Sequence, residues 1–140
     1  MTPLDRITER VNRRGDVNDP ATPRPLLTLA EFFEGNDVIG SIGCNIIPTP
    51  KPAEFYDALK KIAARPDVAE VLVQVAMLDT PEWPFSDVIW IITSAQSNEV
   101  MQWFDESIRP DECAAGWITE IPIEHYPVPL GMQPVACWWD

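Results

Sequence analysis

Few side chains in this sequence have the type and setting to do chemistry. His125 is the single histidine, and histidine is the side chain whose ordinary pKa lies closest to neutrality. As a general acid or base it would need a partner, and Glu124 and Cys137 are the groups a fold would have to bring to it. Its setting, Glu124-His125-Tyr126 in a proline-rich stretch, reads instead as an exposed loop. Cys44, Cys113 and Cys137 are an odd number at wide spacings with no Cys-x-x-Cys pair. That pattern spells neither a zinc site nor a disulfide framework, and buried thiols in a reducing compartment are the expectation. Cys44, after Gly43 in an apolar segment, reads as core. Cys113 stands beside Asp111 and Glu112, whose charges disfavour the thiolate a nucleophile needs.

The remaining chemical signatures are missing. Gly40-Ser41-Ile42-Gly43 has neither a third glycine nor a following Lys-Ser/Thr, which excludes dinucleotide and P-loop readings. There is no Gly-x-Ser-x-Gly elbow, no His-Glu-x-x-His, and no Asp-x-Asp-x-Asp-Gly run. The sequence therefore predicts no catalytic residue, no metal and no cofactor.

Charge is more informative. The chain of 140 residues has a net charge of −12. In residues 1–65 nine acids and nine bases cancel, whereas residues 66–140 hold thirteen acids against the single base Arg109. Such a surface repels nucleic-acid phosphates and anionic lipids and favours a basic protein partner. The candidate partner-binding residues follow from this. Trp83 and Phe85 stand on a proline-stiffened loop between Asp79, Glu82 and Asp87, a combination of aromatic anchors and acidic flanks. Asp105, Glu106, Asp111 and Glu112 gather around a predicted helix end, where the negative pole disfavours them slightly and leaves them free for a partner.

The elements that must position these residues can be read from periodicity. Leu4, Ile7 and Val11 share one helical face, so residues 1–25 read as a short amphipathic helix followed by a proline-rich arm, docking on its own domain or on a partner. Thr28 and Glu31 have capping-box spacing for a brief helix over 29–34. Residues 36–47 read as a strand bent at Gly40 and Gly43. Pro52 opens a helix whose Phe55, Leu59 and Ile62 share a face, stopped at Arg65-Pro66. Residues 70–78 and 87–93 are strands apolar at nearly every position. Ser94 or Ser97 caps a helix with Val100, Trp103, Phe104 and Ile108 on its apolar face. An edge strand over 117–121 and a last strand over 135–139 complete the order. Strand, helix, strand, strand, helix, strand is the ferredoxin-like split βαβ pattern: an α+β sandwich with an antiparallel sheet and two helices on one face, one domain over 26–140 behind the arm of residues 1–25. No stretch approaches the about eighteen apolar residues of a membrane span. Asp5, Arg6, Glu9, Arg10, Arg13 and Arg14 occupy the place of a secretory signal's apolar core, so the cytoplasm is expected.

The segments Phe32-Phe33-Glu34-Gly35-Asn36, Gly40-Ser41-Ile42-Gly43-Cys44-Asn45, Trp83-Pro84-Phe85-Ser86-Asp87 and Trp138-Trp139-Asp140 resemble those of short uncharacterised bacterial proteins. The likeness covers residues 26–140 and implies no activity. More loosely, a small acidic domain without catalytic residues is similar in kind to immunity proteins that neutralise basic toxin domains. Two expectations follow. One is a non-catalytic domain that binds a basic partner as an acidic, immunity-type antagonist. The other is a small-molecule-binding or enzymatic domain with a tryptophan-lined pocket between the sheet and the loops at 40–45, 79–87 and 122–134, reached by Cys44 and His125. An open sheet edge or the N-terminal helix would also allow a homo-oligomer.

Overall fold

The computed structural model describes residues 1–79, 81–117 and 121–139. It is an α+β structure, as expected, built on one five-stranded antiparallel sheet of order β1-β2-β3-β5-β4. The elements run α1 (Pro3–Val11), β1 (Leu26–Thr28), α2 (Leu29–Phe33), α3 (Pro52–Ala63), β2 (Val68–Gln74), β3 (Val88–Thr93), α4 (Ser97–Gln102), a 3₁₀ turn (Glu106–Ile108), β4 (Glu112–Ala115) and β5 (Gln133–Trp138).

Local chemistry explains the helix starts. Thr2 and Asp5 form a reciprocal capping box at α1, with Pro3 in the first turn where a missing N–H costs nothing. Thr28 and Glu31 do the same for α2, as their spacing predicts. Pro52 opens α3, which buries Phe55, Leu59 and Ile62 along one face.

Period-two alternation sends the strand side chains to two faces. Leu27, Val71, Val73, Ile89, Ile91, Val135 and Cys137 face the helices and form one core with Ile7, Val11, Phe32, Phe55, Leu59 and Val100. Each such side chain, fully buried, contributes roughly 2 kcal/mol through removal of apolar surface from water. Leu26, Leu72, Val88, Trp90 and Ala136 form a second cluster on the opposite face, where Trp117, Ile123 and Tyr126 pack against it. All four helices thus contribute to one face, and irregular chain packs on the other. The amphipathic helix of the N-terminal arm docks on its own domain through Ile7 and Val11, and Val17 of the following segment is buried too.

Several expected elements differ. Residues 36–47 are a chain of turns, not a strand: Gly40 and Gly43 hold φ of 94° and 70°, and only Ile42 makes a bridge, to Ser86. A Cβ at position 43 would collide with the Phe55 ring, so the glycine is there for a close approach rather than a bend in a strand. The first strand is instead β1, which follows the proline-rich arm directly; its Leu26 and Leu27 each serve one of the two cores. The helix predicted through Ile108 ends at Gln102, because the Asp105 carboxylate caps a separate turn by accepting from the Ser107 N–H. Gln96, not a serine, occupies its N-cap. The predicted edge strand over 117–121 lies mostly outside the described residues; the edge is held by β4, which pairs with β5 from Glu112 to Ala115.

Candidate functional site: an acidic end of the sheet

Antiparallel register fixes what meets at each end of the sheet. Gln74 lies opposite Val88, Val88 opposite Trp138, and Trp138 opposite Glu112. The end of β2, the starts of β3 and β4 and the end of β5 therefore share one edge, and the loops leaving them carry most of the acids singled out by sequence.

The loop between β2 and β3 extends their ladder before turning. Phe85 donates its N–H to the Met77 carbonyl (2.9 Å) and accepts from the Ala76 N–H (2.8 Å), and Glu82 N–H to the Asp79 carbonyl (2.8 Å) closes the tip. Trp83 turns inward. It is only 8% exposed, and its indole N–H donates to the Phe32 carbonyl at 3.0 Å. Buried Ser86 donates its backbone N–H to the Ser41 carbonyl (2.8 Å), which joins this loop to residues 36–45. That second loop is tightened by Asn36, whose side-chain amide donates to Ser41 Oγ (3.0 Å) while its Oδ1 accepts from the Val38 N–H (3.0 Å). Gly35, at φ 79°, lets α2 turn into it; a Cβ there would sit 2.5 Å from Pro3 of α1. The segments around Phe32–Asn36, Gly40–Asn45 and Trp83–Asp87, far apart in the chain, are thus hydrogen-bonded into one unit.

What this unit shows to solvent is apolar at the centre and acidic around it. Ile39 is 56% and Met77 52% exposed, with Val38 exposed beside them and Phe85 half-buried. A shallow depression of about 260 Å³ is lined by Val38, Ile39, Met77, Trp83 and Phe85 together with Asp79 and Glu82. An adjoining one of about 540 Å³ reaches Pro3, Leu4, Asp37 and Pro81 and shares Val38, Ile39, Glu82 and Trp83 with the first. Asp37, Asp79 and Glu82 are all exposed.

The other predicted residues lie outside these depressions, Asp87, Asp111 and Glu112 at the same end and Asp105 and Glu106 beside α3. Asp87, half-buried, accepts the Trp139 N–H on its carbonyl (3.1 Å). Asp111 donates its N–H to the Trp138 carbonyl (2.9 Å), and Glu112 opens β4; both are exposed. Asp105 and Glu106 are exposed on the 3₁₀ turn, and hydrogen bonds from the Ser107 hydroxyl and N–H hold the Asp105 carboxyl below its usual range.

The residues considered for catalysis are not assembled. His125 is exposed, and its neighbour Glu124 is engaged elsewhere. Glu124 accepts two hydrogen bonds from the Arg10 guanidinium (2.9 and 3.2 Å) and one from the Leu26 N–H (2.8 Å), and pairs with Arg14 at 3.3 Å. Burial raises its pKa, but the bonds from Arg10 and Leu26 and the two arginine charges outweigh this and hold the carboxyl below its usual value. Arg10 also binds Glu31 (3.0 Å) and the Leu26 carbonyl (2.9 Å), so this clasp joins α1, β1, α2 and the 121–129 segment. Cys44, expected in the core, is exposed, because its segment is a loop. Trp90 is packed against Trp117 and donates to Gln74 Oε1 (2.7 Å), while Trp139 sits edge-on to Phe55 and Phe104. Among the described residues, no three His, Cys, Asp or Glu side chains are grouped to hold a metal ion, and no helix is long and apolar enough to cross a membrane.

Sequence reasoning missed Asp37, Val38, Ile39 and Met77. The available signal was Val38-Ile39 beside a glycine-rich run with no clean alternation, which fits exposed apolar side chains on a loop as well as a strand.

Comparison with known proteins agrees over the whole length. A bacterial relative from Escherichia coli (strain K12), called "Uncharacterized protein YfbO", is 52% identical over 140 residues, covering all of both chains. No solved structure matches the chain. Residues 2–137 match the model of the Uncharacterized protein YfbO family, to which the chain belongs.

Proposed function

We propose that this chain is a non-catalytic protein-binding domain whose acidic sheet end captures a basic, partly apolar segment of another protein, acting as an antagonist in the manner of acidic immunity proteins. The observation that carries the reading is the exposed Val38, Ile39 and Met77 patch framed by Asp37, Asp79 and Glu82. Apolar side chains at the centre supply affinity when buried, and a one-sign rim supplies steering and partner choice. Asp105, Glu106, Asp111 and Glu112 extend the same field beyond the contact. The net charge of −12 supports a basic partner and disfavours nucleic acid and anionic membranes. The cytoplasm is the compartment this reading assumes.

A direct test titrates the protein with three labelled peptides of equal length, alternating Lys/Leu, Lys/Ser and Glu/Leu. The Lys/Leu peptide binds best, its affinity falls as salt is raised, and Asp37→Asn, Asp79→Asn and Glu82→Gln together weaken it about tenfold. Equal binding of the Glu/Leu peptide, or indifference to the triple substitution, would overturn the proposal.

A further inference from the structure

We propose that Cys113 and Cys137 are a reversible dithiol–disulfide pair that fastens edge strand β4 to β5. The two residues are direct partners in the antiparallel register, and their Sγ atoms stand 3.0 Å apart as free thiols. The phase of the ladder favours a bond. Gly116 donates its N–H to the Pro134 carbonyl (2.8 Å), so the positions 116/134, 114/136 and 112/138 fall in the hydrogen-bonded phase. Cys113 and Cys137 fall in the alternate, non-hydrogen-bonded phase, where facing Cα atoms approach to about 4.5 Å and side chains are closest. A disulfide spans Cα separations of roughly 4.4–6.8 Å, so it closes without moving the strands apart.

Access divides the roles. Cys137 is fully buried in the helix-side core and Cys113 is half-buried on the edge strand, so a reagent meets Cys113 first. Burial, then the contact with Cys113, pushes the Cys137 thiol well above its usual value, which keeps it from competing with Cys113 for the reagent. The oxidant is a small dialkyl disulfide. The Cys113 thiolate attacks one of its sulfurs, the reagent's S–S bond breaks, and one thiolate leaves. The Cys137 thiolate then attacks Cys113 Sγ and expels the second. The two cysteine protons end on the two released thiols, so the protein is oxidised by two electrons and the reagent reduced by two. Among the described residues β4 has β5 as its only sheet neighbour, so the bond would tie down an edge strand.

The test uses the full chain carrying Cys44→Ser, which removes the exposed third thiol. It is incubated with hydroxyethyl disulfide at pH 8, then denatured, titrated for thiols and weighed by mass spectrometry. The expected product has no free thiol and has lost the mass of two hydrogen atoms. It melts about 10 °C higher than the reduced protein and reverts fully with dithiothreitol. In the Cys137→Ser background the same reagent leaves a stable adduct on Cys113, and in Cys113→Ser the thiol of Cys137 reacts more than tenfold slower. Two titratable thiols after treatment, adducts on both cysteines without closure, or intermolecular dimers as the main product would each overturn the proposal. Wild-type circular dichroism spectra for both single variants exclude misfolding as the cause.

Discussion

Glu124 and Glu82 are the same residue type, and both come from the half of the chain that carries the net charge, yet the structure uses them in opposite ways. Glu124 is mostly buried, faces two arginines and a backbone N–H, and joins the N-terminal helix to β1 and the 121–129 segment. Glu82 stands in water at the tip of the β2–β3 loop, beside apolar side chains that are also exposed. A carboxylate earns stability only where its surroundings would otherwise be left unpaired, and in water it is free to serve a partner. The difference also revises the charge asymmetry: part of the acidic half is neutralised internally by Arg10 and Arg14 of the neutral half, whereas Asp79, Glu82, Asp111 and Glu112 stand exposed at one end of the sheet.

The largest effect that would sharpen this contrast comes from beneath the acidic end. Trp83→Ala removes a buried indole and leaves the Phe32 carbonyl without its donor; a loss of about 3 kcal/mol is expected in urea unfolding. A near-neutral result would place the Trp83 side chain in the binding surface instead of the core. Next, Arg10→Ala strands Glu124 with fewer partners and costs about 2 kcal/mol, with peptide binding at the acidic end unchanged. Binding that falls in step with stability would collapse the distinction between the two regions.

Acid should separate them again. Glu124 has a folded pKa below its unfolded one, so the folded state binds fewer protons. Its contribution is complete above the ordinary glutamate value, about 4.3, and is lost as pH falls through the lower folded value. Wild-type stability should therefore drop more steeply below about pH 4 than that of Glu124→Gln, as read by melting temperature against pH. Parallel curves would argue against the clasp. The smallest effect belongs to the triple substitution Asp37→Asn, Asp79→Asn and Glu82→Gln, which should change stability by less than about 0.5 kcal/mol while weakening the Lys/Leu peptide.

Legibility in the sequence followed the strength of local signals. β2 and β3 were readable because nearly every position is apolar, and α3 because Phe55, Leu59 and Ile62 repeat at the helical period. β1 has only three residues, and β4 reads Glu-Cys-Ala-Ala, which has no strand preference; both exist because β2 and β5 present open ladders to them. Residues 36–47 misled because Val38, Ile39, Ile42, Ile46 and Ile47 suggest a buried strand, whereas Ile39 and Ile47 are exposed. Among the candidate site residues, acidity and loop location were visible for Asp79 and Glu82, but the inward turn of Trp83 was not.

The sequence by itself determined the α+β class, the starts of α2 and α3, the two central strands and the excess of acid in residues 66–140, because each rests on propensity, periodicity or count within a short window. Tertiary structure alone decided that the 36–45 and 76–87 loops dock on one another, that Arg10 reaches across to Glu124, and that Cys113 faces Cys137. These are pairings between distant segments, set by strand register and by the need to satisfy buried polar groups, and no local window of sequence contains them.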